Sequence, residues 1–116
     1  MNTPQTPLAT RLHALATMHC RDGAPGLGTE ELETLLATLP GWTLGDGRIA
    51  KTFLFANYHE VIAFVNALAF IAHHEDHHPG LQVYYNRCVV EFSTHSAGGV
   101  TLNDVICAAK AERLFA

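Results

Sequence analysis

Asn57-Tyr-His-Glu-Val-Ile-Ala-Phe-Val-Asn-Ala-Leu-Ala-Phe-Ile-Ala-His-His-Glu-Asp-His-His-Pro79 reads as one long helix that runs into a cluster of histidines. Asn57 is a helix-capping residue type, and Glu60 three positions later closes a capping box. Val61, Phe64, Val65, Leu68, Ile71 and Ala72 recur at helical spacing and make a buried stripe. Pro79 cannot continue a helix and biases His78 towards extended backbone, so the cluster is expected where the helix gives way to a loop.

On both sides of this helix the apolar pattern changes to period two. Upstream, Trp42-Thr-Leu, the turn Gly45-Asp46-Gly47 and the run from Arg48 to Phe55 predict a hairpin, with Ile49, Lys51, Phe53 and Phe55 on one face. Downstream, Leu81 to Tyr85, a turn at Asn86-Arg87 and Cys88 to His95 predict another. There Glu91, Ser93 and His95 alternate with Val90, Phe92 and Thr94, which puts His95 at a strand end. Thr29-Glu30-Glu31 opens a helix with the stripe Leu32, Leu35, Leu36 and Leu39, stopped by Pro40-Gly41. Thr101 with Asp104 is the capping pattern of a closing helix whose apolar face is Leu102, Val105, Ile106 and Ala109.

The order is thus α-β-β-α-β-β-α, with hairpins as the only short links. This predicts a two-layer α+β domain at residues 29–116, a four-stranded antiparallel sheet with helices packed on one face. Residues 1–28 are read as an N-terminal extension and linker. They comprise a Pro/Thr-rich lead, a short helix around Leu8 to Met18 with Leu8, Leu12 and Leu15 on one side, and a Gly/Pro-rich link from Asp22 to Gly28.

A chain of 116 residues, 48% hydrophobic and 16% charged, has the composition of one globular domain. Its formal net charge of −4 gives no basic stripe, so no nucleic-acid partner is expected. No apolar run is long enough to span a bilayer and no secretion signal is evident, so a cytoplasmic protein with no membrane partner is expected. Cys20, Cys88 and Cys107 are dispersed, which indicates neither a disulfide framework nor a Cys-rich zinc site.

Half of the eight histidines lie between His73 and His78. Imidazole both transfers protons near neutral pH and binds metals. His74-Glu-Asp-His-His78 fits the zinc motif His-Glu-x-x-His. Its second ligand directly precedes Pro79, however, where the required helix is ending, so no metal is expected. No Ser lies on a nucleophile elbow, and Cys88 and Cys107 sit in apolar strand and helix patterns. Acid–base chemistry remains, with histidines able to accept and donate protons at one pH and no cofactor required.

His73, three residues, His77-His78-Pro79, five residues, Tyr85, nine residues, His95, eight residues and Asp104 together resemble the signature of the pterin-4a-carbinolamine dehydratases. The likeness runs through Gly41-Trp42, Phe53-x-Phe55, Tyr85-Asn86 and Ser93-Thr94-His95, over residues 29–112. It implies an antiparallel sheet packed with helices in a homodimer or homotetramer. It also implies a hydro-lyase that removes water from a 4a-hydroxytetrahydropterin to give quinonoid dihydropterin, in support of a pterin-dependent aromatic amino-acid hydroxylase. The catalytic roles fall by resemblance on His77, His78 and His95, with His78 and His95 around the hydroxyl and His77 the base at N5. The substrate-binding set is His73, Asp76, His77, His78, Ser93, Thr94, His95 and Ser96. Asp104, Tyr85 and Trp42 are expected to orient or to be structural, Asp104 foremost as a capping residue. The family most often has an acidic residue where this chain has His73, and Glu75 or Asp76 is expected to substitute. Two other roles within the resemblance are a dimerisation or transcriptional-coactivator module and a place in molybdopterin-related metabolism.

Overall fold

The computed structural model describes residues 8–115, so the Pro/Thr-rich lead and the Leu8 side chain of the expected stripe lie outside the described part. Helices α1 (Leu8–Ala16) and α2 (Thr29–Leu36) precede the hairpin β1 (Thr43–Gly45) and β2 (Arg48–Leu54). Helix α3 (Tyr58–Glu75) leads to the hairpin β3 (Gly80–Val83) and β4 (Arg87–Phe92), and α4 (Leu102–Phe115) closes the fold. The strands form one antiparallel sheet in the order β1-β2-β4-β3, covered by helices as the period-two and helical patterns predict.

The first hairpin turns on two residues, Asp46 and Gly47, both with positive φ as the tight primed turn requires. Its second strand pairs with β4 from Ile49↔Phe92 to Leu54↔Arg87. One face therefore carries Ile49, Phe53, Cys88, Val90 and Phe92 into the core. Phe53 is the hub of an aromatic cluster, 4.8 Å from the Phe64 ring, 5.2 Å from Phe115 and 6.0 Å from Trp42. Lys51, on the same face, pairs with Glu112 of α4, which also accepts the Trp42 indole N–H at 2.9 Å. That pairing accounts for a lysine on an inward-facing register.

Several boundaries differ from the sequence reading, each for a local reason. The second hairpin turns at Tyr85-Asn86, because Tyr84 N–H bonds Arg87 C=O at 2.9 Å while the Arg87 guanidinium covers the Tyr84 ring. Strand β4 stops at Phe92, and His95 opens a single 3₁₀ turn (His95–Ala97) instead of ending the strand. Helix α2 is capped by Gly28, with Thr29 already helical. Asn57 caps α3 by accepting Glu60 N–H at 2.9 Å, while the Glu60 carboxylate reaches Ala56 N–H rather than that of Asn57.

Helix α4 is buried almost all round from Asn103 to Ala109, not along one apolar stripe. It touches α1, α3 and β4. Its small residues Cys107, Ala108, Ala109 and Ala111 permit this close packing. Lys110 donates to Ala16 C=O at 2.8 Å, tying the end of α1 to α4.

The strand alternation predicts opposite outcomes for neighbours. Phe53→Ala should lower the unfolding free energy by about 3–5 kcal/mol, whereas Leu54→Ala, at a side chain 67% exposed, should stay within about 0.5 kcal/mol. Urea unfolding of both variants checks the register.

Candidate active site

Helix α3 ends in a Schellman motif. His77 N–H bonds Ala72 C=O at 3.1 Å, Asp76 N–H bonds His73 C=O at 3.3 Å, and Asp76 takes the left-handed conformation with φ 52°. The reversal comes three residues before Pro79. It carries His77 inward and leaves His78 exposed.

His77 Nε2 lies 2.5 Å from Asp104 Oδ1, and the Asp104 side chain is 0% exposed. The second carboxylate oxygen accepts Thr94 Oγ1–H and Thr101 N–H, each at 2.8 Å. Thr94 and Thr101 hydroxyls also meet at 2.8 Å. Asp104 is therefore the capping residue expected from Thr101 and, in addition, the partner of a histidine just past the end of α3. A carboxylate only accepts, so Nε2 carries the proton and Nδ1 is the nitrogen left to act. The imidazole stacks on Phe92, 6.1 Å between centroids and 9° between planes. The Asp104 hydrogen bond, against the burial that opposes it, raises the His77 pKa above its ordinary value of 6.5, aided by the negative charge of Asp104 itself.

A cleft of ≈ 730 Å³ opens over this pair. Asp76, His77, His78, Ser93, Thr94, His95 and Ser96 line it, bringing together the end of α3 and the segment after β4. His73 is exposed on α3 and is not part of the lining. Tyr85 is 66% exposed at the hairpin tip, and Trp42 is buried in the aromatic cluster, so neither reaches the cleft. The opposite wall is Cys20, Arg21, Asp22, Gly23 and Ala24, with Asn103 beneath. Sequence reading placed no site residue there. The Asn103 amide holds Arg21 by two bonds, Nδ2–H to its C=O at 2.7 Å and Oδ1 from its N–H at 3.1 Å. Asn103 next to Asp104 offered no signal, because its partner lies 82 residues away.

Of the two carboxylates expected to replace an acid at position 73, Glu75 is engaged. It accepts Cys20 N–H at 2.7 Å and faces His19 Nδ1 at 2.8 Å. Burial pushes its pKa up, but the Cys20 N–H and His19 outweigh that and hold it below the usual range. Asp76, by contrast, is exposed and lines the cleft. The reversal at Asp76 also divides the His-Glu-x-x-His match. His74 borders a separate cleft with His19 and Lys110, whereas His78 borders the one with His77, so the two motif histidines do not sit as helical neighbours.

The α+β sheet-and-helix fold thus brings an imidazole fixed by a buried carboxylate together with two further histidines on one cleft. The pterin 4 alpha carbinolamine dehydratase family matches residues 25–114. A Chromobacterium violaceum protein provisionally named pterin-4-alpha-carbinolamine dehydratase is 59% identical over 93 residues, covering 80% of this chain and 86% of that one. A protein of Xanthomonas campestris pv. campestris with the same provisional name is 52% identical over 111 residues, covering 91% and 94%. The crystal structure of a transcriptional coactivator/pterin dehydratase from Brucella melitensis superposes with a TM-score of 0.76 at 32% identity, covering 78% of this chain and 99% of that one. The chain belongs to the pterin-4a-carbinolamine dehydratase family, a family of hydro-lyases.

The raised His77 pKa sets the direction of a pH effect. The stability contributed by the His77–Asp104 pair is fully present below the unfolded value near 6.5 and is lost as pH rises through the higher folded value. Wild-type unfolding free energy should fall across that window, and Asp104→Asn should flatten the fall and move the His77 titration, followed by NMR, to lower pH. Asp104→Ala, which leaves a buried histidine and a helix cap without their acceptor, should cost about 3–5 kcal/mol at pH 6.

Proposed function

We propose that this chain dehydrates 4a-hydroxytetrahydropterin to quinonoid dihydropterin by histidine acid–base catalysis in the cleft over Asp104. The observation that carries this reading is the His77–Asp104 pair facing a cleft that His78 and His95 also line. The reaction must protonate the C4a hydroxyl so that it leaves as water, and must remove the N5 proton as the C=N bond forms. An acid and a base therefore flank one ring.

His77 is the base at N5. Asp104 holds the imidazole by Nε2, which aims Nδ1 as the acceptor, and stabilises the imidazolium once the proton has arrived. His78 and His95, both exposed on the cleft, act at the hydroxyl. Asp76 supplies a carboxylate for the donor groups of the pterin in place of the acid absent at His73. Ser93, Thr94 and Ser96 line the cleft beside His95 and offer hydroxyl and main-chain groups to the pterin edge. Supply of a pterin-dependent hydroxylase is the role that this product chemistry fits.

Substituting His77, His78 or His95 by Ala should each lower the dehydration rate of freshly generated 4a-hydroxytetrahydropterin by about 10²–10⁴-fold, with far-UV circular dichroism unchanged. His13→Ala, at an exposed site on α1, should leave it unaltered. Wild-type rates in all three site variants would remove the assignment. Acceleration should also survive EDTA; its loss on chelation would return the reaction to a metal.

Self-association is the second element of the proposal. Phe70 is 75% exposed on α3, and Leu114 and Phe115 are exposed at the end of α4. An apolar face of this kind on two adjacent helices suits a second copy of the chain. Light scattering should report a dimer or tetramer, and Phe70→Glu should reduce its mass; a wild-type monomer would overturn this element.

A further inference from the structure

Three observations converge on a pair of thiols that the proposed chemistry does not use. Cys20 Sγ and Cys107 Sγ lie 3.4 Å apart, joining the irregular segment between α1 and α2 to the middle of α4. Cys20 is partly exposed on the wall of the cleft, whereas Cys107 is buried beneath it. The segment bearing Cys20 is held by polar contacts, from Glu75 to its N–H and from Asn103 to Arg21, and by the buried Ala24. Bond formation needs the sulfurs to approach to about 2.05 Å, a movement within reach of a loop facing a fixed helix.

We propose that Cys20 and Cys107 are a peroxide-responsive thiol pair that closes to a disulfide and pins the Cys20–Ala24 wall of the cleft onto α4. Cys20 is the attacking thiol, because it is the one a small oxidant can reach. The hydrogen bond with Cys107 lowers its pKa against the burial that opposes it, and the nearby His77 charge acts in the same direction. The same hydrogen bond, and after it burial, push the Cys107 thiol up; its resolving role rests on its place 3.4 Å from Cys20 Sγ. Cys88, buried in β4 and pushed up by that burial, stays outside the exchange.

The chemistry balances with hydrogen peroxide as oxidant. The Cys20 thiolate attacks one peroxide oxygen, the O–O bond breaks, and the second oxygen leaves as hydroxide and is protonated to water. Cys20 is then a sulfenic acid. Cys107 attacks Cys20 Sγ, the S–O bond breaks, and the departing hydroxide takes the Cys107 proton as a second water. Two thiols and one peroxide thus give one disulfide and two waters.

The oxidised form also bears on the cleft. The Cys20 charge is one of the groups that raise His77, so its removal as a disulfide should lower the His77 titration. Control of catalysis by this route rests on the acid–base reading above. The chemical test does not, because it uses no substrate.

Full-length reduced protein, treated with a small excess of hydrogen peroxide, should lose two hydrogens in intact mass and yield a single cross-linked peptide joining Cys20 to Cys107. A dithiol reductant should reverse it. Cys107→Ala should leave Cys20 as a sulfenic acid that dimedone traps, and Cys20→Ser should leave Cys107 unoxidised. Oxygen accumulating on Cys20 of the wild-type protein without a cross-link, first oxidation at Cys88, or no reaction would each overturn the proposal. A cross-link that leaves the His77 NMR titration unmoved would overturn its link to the site.

Discussion

The buried carboxylate of Asp104 is the constraint on which both the fold and the site depend. It receives a hydrogen bond from His77 at the end of α3, from Thr94 after β4, and from Thr101 N–H at the start of α4. Removing a carboxylate from water costs several kcal/mol, and these donors offset the cost because each lies within hydrogen-bonding distance. The three donors come from three separate segments. The contact that keeps the charge tolerable in the core is thus the one that assembles the cleft, and any loosening of the helix packing loosens the imidazole as well.

The reversal at Asp76 has a similar double effect. A non-glycine residue in the left-handed region is strained by about 1–2 kcal/mol, and here the Schellman hydrogen bonds hold it. Had the helix continued, His74 and His78 would share one face as a metal motif requires. Instead the chain folds back, His77 meets Asp104, and His74 is left with His19, their rings 6.4 Å apart on another surface. Asp can adopt this conformation because its short polar side chain tolerates it, which explains how an acidic residue occupies the helix stop and lines the cleft at once.

The elements of the fold were legible because their apolar periods are clean. Val61, Phe64, Leu68 and Ala72 mark α3, and Val90 with Phe92 marks the core face of β4. The Asp46-Gly47 turn announced itself through residue types that accept positive φ. What sequence could not yield are pairings between residues far apart in the chain. Lys51 with Glu112, Arg21 with Asn103 and His77 with Asp104 are each invisible to local patterning. The all-round burial of α4 was hidden for another reason: alanine and cysteine are neutral in an apolar pattern and reveal their packing only when α1 covers them. His95 sits in a 3₁₀ turn because Thr94 pairs with Gly99, a bridge that strand alternation does not foresee.

The two walls of the cleft have different origins in the chain. His77, His78 and His95 lie within residues 25–114, the part that matches the dehydratase family, whereas Cys20 to Ala24 precede it. The family core thus contributes the imidazoles and the buried carboxylate, and the preceding segment contributes a wall fastened to that core by Glu75 and Asn103. Its polar fastenings run to Glu75 and Asn103 and its thiol contact to Cys107, none of them to Asp104 itself. The contacts that hold this wall are thus separate from those that hold His77 on Asp104.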